Sequence, residues 1–301
     1  MSFRVRIKQI IKGINAHPLA RKHKFLAYRK LLRWQLGQYL FPGIKTLEFL
    51  PGVHFLAEKG ITGITGNIYC GLHEFNDMGF LLHFLRAEDL FIDVGANVGS
   101  YTLLASGIVG AKSISSEFAP VTFQKLKANI ISNHLEVKSS LINAAVGCKN
   151  GILHFTSDLD TVNHVLLDEN LITAQTISVP VHTLDAFVEV KCVKNCLIKI
   201  DVEGFEFEVL GGMKKILEEG LLKAIIIELN GSGARYGYDE KEIKKQITEA
   251  GFRAYHYDPF GRSLTAMEIE GNFNTIYLRD LPFVEMRIHS ANKISVFGES
   301  F

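Results

Sequence analysis

The chain has 301 residues but only 7 prolines, 4 cysteines and 1 tryptophan, and what it lacks narrows what it can be. Cys192 and Cys196 stand four apart with no second pair at ligand spacing, and Cys70 and Cys148 stand alone. That pattern excludes a cysteine metal framework and leaves reduced structural thiols as the expectation. No apolar run reaches the roughly 20 residues of a membrane-crossing helix. Arg4, Arg6, Lys8 and Lys12 interrupt any stretch that would make a signal peptide, so a cytoplasmic protein is expected. Repeats and low-complexity segments are missing. The sharpest absence is of acid: residues 1–47 hold 11 Lys and Arg and neither Asp nor Glu. The rest of the chain sets 22 basic residues against 32 acidic ones, so a formal net charge of +1 hides two regions of opposite sign.

Hydrophobic residues make up 47% of the chain and charged residues 22%, enough apolar material for a large core and unlike a disordered chain. In the basic region Phe3, Ile7, Ile10, Ile11 and Ile14 share one helical face, and Phe25, Tyr28, Leu32, Leu36 and Tyr39 repeat the spacing. Two amphipathic helices are predicted. Such a segment suits a peripheral contact with an anionic membrane surface, a helical cap on the domain that follows, or a homodimer interface, and the three readings stay open. Nucleic-acid binding is not expected, because the basic residues form no groove or sheet motif and the remainder is acidic.

Residues 91–100 read Phe-Ile-Asp-Val-Gly-Ala-Asn-Val-Gly-Ser, an apolar strand entering a glycine-bracketed turn and then the helical pattern Val98 to Ala105. Gly95 and Gly99 leave room for close backbone approach to a ligand, and Asp93 sits at the carboxyl end of the strand, where open α/β sheets bind ligands. A dinucleotide fingerprint requires glycine two positions after Gly95, and this chain has Asn97 there, which argues for a cofactor without a pyrophosphate. A second strand, Ser113 to Ser116, ends in Glu117, a carboxylate suited to two ribose hydroxyls. Together these features suggest an adenosyl cofactor. Tyr101 and Thr102, in the first turn of the helix, are expected near it.

Asp93-Val94-Gly95-Ala96-Asn97-Val98-Gly99, Glu117-Phe118-Ala119-Pro120 and, most specifically, Ile198-Lys199-Ile200-Asp201-Val202-Glu203-Gly204-Phe205-Glu206 resemble the FkbM-type methyltransferases, a branch of the class I S-adenosylmethionine enzymes. Val181-His182-Thr183-Leu184-Asp185 and Val209-Leu210-Gly211-Gly212 add to the resemblance, which covers about residues 65–280. Phe118 departs from it, since the family usually has proline after the acid. The resemblance implies an α/β, Rossmann-like class I sheet of seven strands with the last antiparallel. It also implies S-adenosylmethionine as cofactor, contacts from Asp201, and adenine contacts from Asn143 and Ala144 at the end of the third strand.

Alternating strand and helix signals divide the chain into a basic helical extension (1–54), a strand-rich lead-in (55–88), a cofactor-binding domain (89–280) and a tail (281–301). A pair of strands is expected in the lead-in before Phe80 to Leu85. Core strands are expected at Ser140–Ala144, Leu197–Asp201, Lys223–Leu229, Phe252–Tyr257 and Asn274–Arg279, with one helix from Phe205 to about Glu219 and another opened by Asp239 and Glu242. The segment 147–190 is too long for a simple crossover and should shape the substrate site. Gly151–Thr156 and Thr176–Val181 are expected to pair as a hairpin there, followed by a short helix over Thr183–Val188.

Acids gather at the ends of strands four and five. Methyl transfer to an alcohol needs positioning and removal of a proton, so Asp201 is the first candidate base, Glu203 the second, and His164 in the insertion a third contact. Asp201, Glu203, Glu228 and Asn230 offer hard oxygens that would suit Mg²⁺. Glu206 and Glu208 read as helix-surface charges; Lys199, inside the fourth strand, is harder to dismiss, with an ammonium reaching solvent as the bland alternative. Tyr236, Tyr238, Tyr257 and Phe260 are candidate platforms for a sugar ring. The leading function is an O-methyltransferase acting on a hydroxyl of a carbohydrate, glycan or related natural product; an N-methyltransferase of protein or nucleic acid and a scaffold without turnover are the alternatives.

Overall fold

In the computed structural model, which describes residues 3–60, 62–156, 165–166, 176–188, 193–267 and 274–301, strands and helices alternate from residue 90 onward. Helices α1 (Phe3–Ala16) and α2 (Lys24–Leu40) precede a hairpin of β1 (Lys45–Leu50) and β2 (Val53–Ala57). Helices α3 (Thr62–Cys70) and α4 (Phe75–Phe84) lead into β3 (Leu90–Val94). Helix α5 (Ser100–Thr102) continues as a π-helical stretch over Leu103–Val109, and β4 (Lys112–Ser116), α6 (Pro120–Ser132) and β5 (Ser139–Ile142) follow. Strands β6 (Ala145–Val146), β7 (Gly151–Thr156), β8 (Val165–Leu166) and β9 (Thr176–His182) form a separate small sheet. The main sheet resumes with β10 (Cys196–Ile200), α7 (Glu206–Gly211), α8 (Lys214–Glu218), β11 (Leu222–Glu228), α9 (Glu240–Glu249), β12 (Arg253–Asp258), β13 (Ser263–Ala266), β14 (Asn274–Leu278) and α10 (Leu281–His289).

The main sheet has the order β13-β12-β14-β11-β10-β3-β4-β5. The pairs from β11 through β5 are parallel and β14 is antiparallel to both neighbours. Successive side chains of each central strand enter opposite layers, as the strand period of two requires. Phe91, Leu197, Ala224 and Ile226 pack on the side of α1 to α6 and α10, whereas Ile92, Val94, Ile198, Ile200 and Ile227 pack toward α7 to α9. Both faces are covered, which is why these strands read as nearly unbroken apolar runs. The strand order reverses between β3 and β10, and a crevice at such a switch point is where open α/β sheets hold ligands.

This is the class I methyltransferase sheet with its antiparallel strand, and it carries eight strands rather than seven. The extra edge strand, β13, pairs antiparallel with β12 across a turn in which Asp258 accepts from the Phe260 and Gly261 amides at 3.1 and 3.2 Å. With one large apolar residue in Ser-Leu-Thr-Ala, β13 gives little sequence signal. The lead-in differs more: the strand pair lies at 45–57, and 62–84 is helical, so Phe80 lies inside α4. The helix expected from Phe205 to Glu219 is two short ones, because Gly212 packs against Gly147, where a Cβ would stand 2.1 Å from the Gly147 carbonyl oxygen. The expected hairpin of the insertion is present as β7 and β9.

Both N-terminal helices form, but α2 points the other way from its apolar pattern. Ala27, Trp34 and Gln38 are buried and Leu31 is half-buried, while Phe25, Leu32, Leu36 and Tyr39 face outward. The helix carries two apolar stripes, and the one through Ala27, Tyr28, Leu31 and Trp34 packs.

Candidate active site

The turn after β3 is built around one close approach. Gly95 has φ +80°, and a Cβ there would lie 1.9 Å from the Asp201 carbonyl oxygen, so no other residue fits without moving the ends of β3 and β10 apart. The Asp201 amide donates to the Val94 carbonyl at 3.0 Å, and the Gly95 and Ala96 amides donate to the Ser116 carbonyl at 3.0 and 2.9 Å. Three strand ends are thus tied together by backbone alone. Asn97 also lies in the left-handed region, at φ +51°, and its amide donates to Glu117 Oε2 at 3.0 Å, while Ala119 N donates to Oε1 at 2.9 Å. Burial pushes the Glu117 carboxyl up to about 7, against the pull of those two donors.

Beside Glu117 an apolar slot is lined by Gly95, Phe118, Ala144, Val146, Phe155 and Phe205. Phe118 stacks on Phe155 of the small sheet with ring centroids 4.1 Å apart, so the insertion walls this slot. Asn143 is exposed and donates through Nδ2 to the Glu117 and Phe118 carbonyls at 2.8 and 3.1 Å, shaping the slot from behind. Asp93 and Thr102 are fully buried and bonded to each other at 2.7 Å, with Ser115 on the far side of Thr102 at 2.7 Å. They brace β3 against α5 and β4. Burial pushes Asp93 up to about 6, tempered by Lys199.

A second group of side chains meets where β3, β10, β11 and β14 end. Lys199 does not reach solvent: it is 3% exposed, its Nζ lies 2.8 Å from Asp201 Oδ2 and 4.9 Å from the centre of the Tyr101 ring. Burial opposes its charge, but Asp201, Glu74 and Asp93 outweigh burial and hold its pKa up. For Asp201 burial is likewise outweighed by Lys199, so this carboxylate stays below its usual range. Glu228 hydrogen-bonds Asp201, and burial together with the Asp201 charge pushes Glu228 up to about 8. Lys199 thus favours the ionised form of Asp201, while burial and the Asp201 charge favour the protonated form of Glu228.

Tyr101 Oη donates to Glu74 Oε2 at 2.7 Å, and Asn274 Nδ2 donates to Glu74 Oε1 at 2.7 Å. Glu74, Asp77, Glu228 and Asn274 line a cavity whose rim includes His17 and Pro18 from the α1–α2 connection. Burial, then Glu74, pushes Asp77 up to about 8.

The structure thus sets Asn97 and Glu117 beside the slot lined by Gly95 and Ala144, and gathers Tyr101 and Asp201 around Lys199, with Glu228 bonded to Asp201. Glu203, at φ +53°, is half-buried, with its pKa raised by burial and by Asp201 and restrained by Arg235. Asn230 turns its Oδ1 to the Ser232 amide at 3.0 Å and is exposed. The proposed Mg²⁺ ligands do not converge: among the described residues no group of three or more His, Cys, Asp or Glu is placed to hold a metal ion, and a lysine ammonium stands beside Asp201. His164 lies outside the described residues.

Glu206 is no surface charge. It is 3% exposed and accepts from the Gly204 amide at 3.0 Å, which shapes the loop after β10. Glu208 accepts from Tyr238 Oη at 2.7 Å. Tyr257 is fully buried and bonded to His83 at 2.6 Å, and Phe260 packs on Phe75 and Phe301; neither is a sugar platform. Tyr236 and Tyr238 pack around Phe205 and Phe207.

The site residues fit an adenosyl sulfonium. An apolar slot beside a carboxylate suits a nucleoside, and the ionised Asp201 stands at the adjoining strand end. The Methyltransferase FkbM domain matches residues 93–254, more than half of the chain. The hexuronic acid methyltransferase AglP of Haloferax volcanii is 30% identical over 173 residues, covering 56% of this chain and 66% of that protein, so this chain spans just under two thirds of its relative's length. Among solved structures, precorrin-6y C5,15-methyltransferase of Geobacter metallireducens is 12% identical at a TM-score of 0.41, covering 78% of this chain and 100% of the other. TYW2 of Pyrococcus horikoshii, solved in complex with MeSAdo, is 14% identical at a TM-score of 0.38, covering 78% and 69%. The chain belongs to the FkbM methyltransferases, an S-adenosylmethionine-dependent family.

Proposed function

We propose that this FkbM-family chain is an O-methyltransferase that acts on a hydroxyl of a carbohydrate or related natural product. The observation that carries the reading is the hydrogen-bonded Asp201–Glu228 pair, whose Glu228 lines a cavity together with Glu74, Asp77 and Asn274. The 30% identity to a hexuronic acid methyltransferase supports a sugar as the acceptor class.

S-adenosylmethionine supplies the methyl group as a sulfonium electrophile. In this reading Glu117 accepts from the ribose hydroxyls, and Phe118, Ala144 and Val146 enclose the adenine. Gly95 and Asn97 shape the turn beneath it. Asp201, held anionic by Lys199, accepts a hydrogen bond from a neighbouring, non-reacting hydroxyl of the acceptor and so fixes the orientation of the attacking one. Glu228, once ionised, takes the proton at a carboxylate oxygen as the hydroxyl attacks. Because burial and the Asp201 charge raise its proton affinity, Glu228 is a stronger base than an ordinary carboxylate. Glu203 is the alternative base, and its Arg235 neighbour argues against it.

The test is transfer of labelled methyl from S-adenosylmethionine into a host extract separated into glycan, protein, nucleic-acid and small-molecule fractions, with Asp201→Asn beside the wild type. Label in the glycan or small-molecule fraction that disappears in Asp201→Asn is expected. Label in protein or nucleic acid, or equal label in both enzymes, would overturn the reading.

A further inference from the structure

Helix α2 presents an apolar face that nothing in the described chain covers. Phe25, Leu32, Leu36 and Tyr39 recur at helical spacing along one side, over about 21 Å of helix at 1.5 Å per residue. Phe25 is 82% exposed, Leu32 60% and Tyr39 80%. The stripe continues past the helix end through the exposed Leu40, Phe41 and Ile44. Scattered apolar side chains on a surface are ordinary, but a contiguous row of seven with three aromatic rings is not. The opposite side of α2 already packs through Ala27, Trp34 and Gln38, so the outward stripe adds nothing to the fold.

Charge indicates what would cover it. Arg29 and Arg33 lie along one shoulder of the stripe and Arg21 and Lys24 at its start, all exposed, within a segment of 47 residues that contains no acid. A second copy packed face to face would set these cations against their counterparts, and the nearby Glu48 and Glu299 already face Lys30 and Lys22. An anionic bilayer answers both features, with headgroups for the basic shoulder and the acyl boundary for the rings and leucines.

We infer that the outer face of α2, from Phe25 to Ile44, docks on an anionic lipid surface with the helix lying in the plane of the interface. No helix among the described residues is long and apolar enough to cross a membrane, so the contact is peripheral. The connection between α1 and α2 carries His17 and Pro18, which border the Glu74–Glu228 cavity. The cavity thus borders the segment that leads into the docked helix, a placement that would suit a lipid-borne acceptor if the proposed function holds. The docking itself is independent of that function.

The experiment is co-sedimentation of the full chain with vesicles of phosphatidylcholine alone and of phosphatidylcholine with phosphatidylglycerol. Partitioning to the anionic vesicles is expected to be at least about tenfold higher, and to fall at high salt. The triple change Phe25→Ser, Leu32→Ser, Leu36→Ser and the double change Arg29→Gln, Arg33→Gln should each lower it about tenfold, with unaltered thermal unfolding because every changed side chain is exposed. Equal, weak sedimentation with both vesicle types would overturn the inference. So would wild-type partitioning by the triple variant, or a dimer in light scattering that the triple variant dissolves while vesicles bind neither protein.

Discussion

The two halves of the site are built differently. The slot beside Glu117 comes largely from successive turns: Gly95, Asn97, Glu117, Phe118 and Ala144 all lie within residues 95–144, between strands and helices, and Phe155 and Phe205 close it. The cavity beside Glu228 is assembled from afar. Glu74 and Asn274, 200 residues apart, meet at 2.7 Å, and His17 comes from a third region. A cofactor that many proteins share can be met by a local motif, whereas an acceptor is met by whatever the fold brings to the switch point.

Lys199 and Asp201 join the two halves, and so does Gly95. Gly95→Ala should have the largest effect, because both the positive φ and the Asp201 carbonyl oppose a Cβ. A loss of about 3 kcal/mol or more is expected in chemical denaturation, with cofactor binding and turnover failing together. Lys199→Met should come next. It leaves Asp201 and Asp93 without their buried cation, for a cost of about 3 kcal/mol; a measured change under about 0.5 kcal/mol would mean that the ion pair does not organise the junction.

Two further changes should separate the halves. Glu117→Gln keeps the shape of the slot but sets an amide donor against the Asn97 or Ala119 amide, and should raise the S-adenosylmethionine dissociation constant about tenfold in calorimetry. Turnover at saturating cofactor should change little. The smallest effect expected is on stability against pH. Asp77, Glu117, Glu206 and Glu228 all have raised values, of about 8, 7, 7 and 8. The folded chain thus retains protons that the unfolded chain releases, so their stabilising contribution is complete below the ordinary carboxylate range and is lost as pH rises toward about 8. The melting temperature should decline across that window, and a rise would mean that these carboxyls are ionised in the fold.

Legibility followed the same division. The central strands and the β7–β9 hairpin were readable because period-two runs and glycine turns are local signals, whereas the strand order and the antiparallel last strand followed only from the family resemblance. Glu117 and Asp201 were readable as strand-end acids. Lys199 was not, since a lone lysine in an apolar strand usually snorkels, and only the facing Asp93 and Asp201 make its burial tolerable. Glu206 was hidden because i, i+2 acids at a helix start look like surface charge until the loop folds back onto one of them. Glu74, Asp77 and Asn274 gave no signal at all. Nothing in their neighbourhoods marks them, and contact across so much intervening chain leaves no period to read. In α2 the apolar spacing left open which face would pack, and contacts with the rest of the chain buried the side of Ala27, Leu31 and Trp34.

The measurement that bears most directly on the two-halves reading is the Glu228→Gln variant, with S-adenosylmethionine affinity by calorimetry and single-turnover methyl transfer measured across pH. Affinity within about twofold of wild type, transfer slowed on the order of a hundredfold, and loss of the wild-type rise in rate through about pH 8 are expected. Wild-type transfer with an unchanged pH profile would contradict Glu228 as the proton acceptor, and lost cofactor affinity would contradict the separation of the halves.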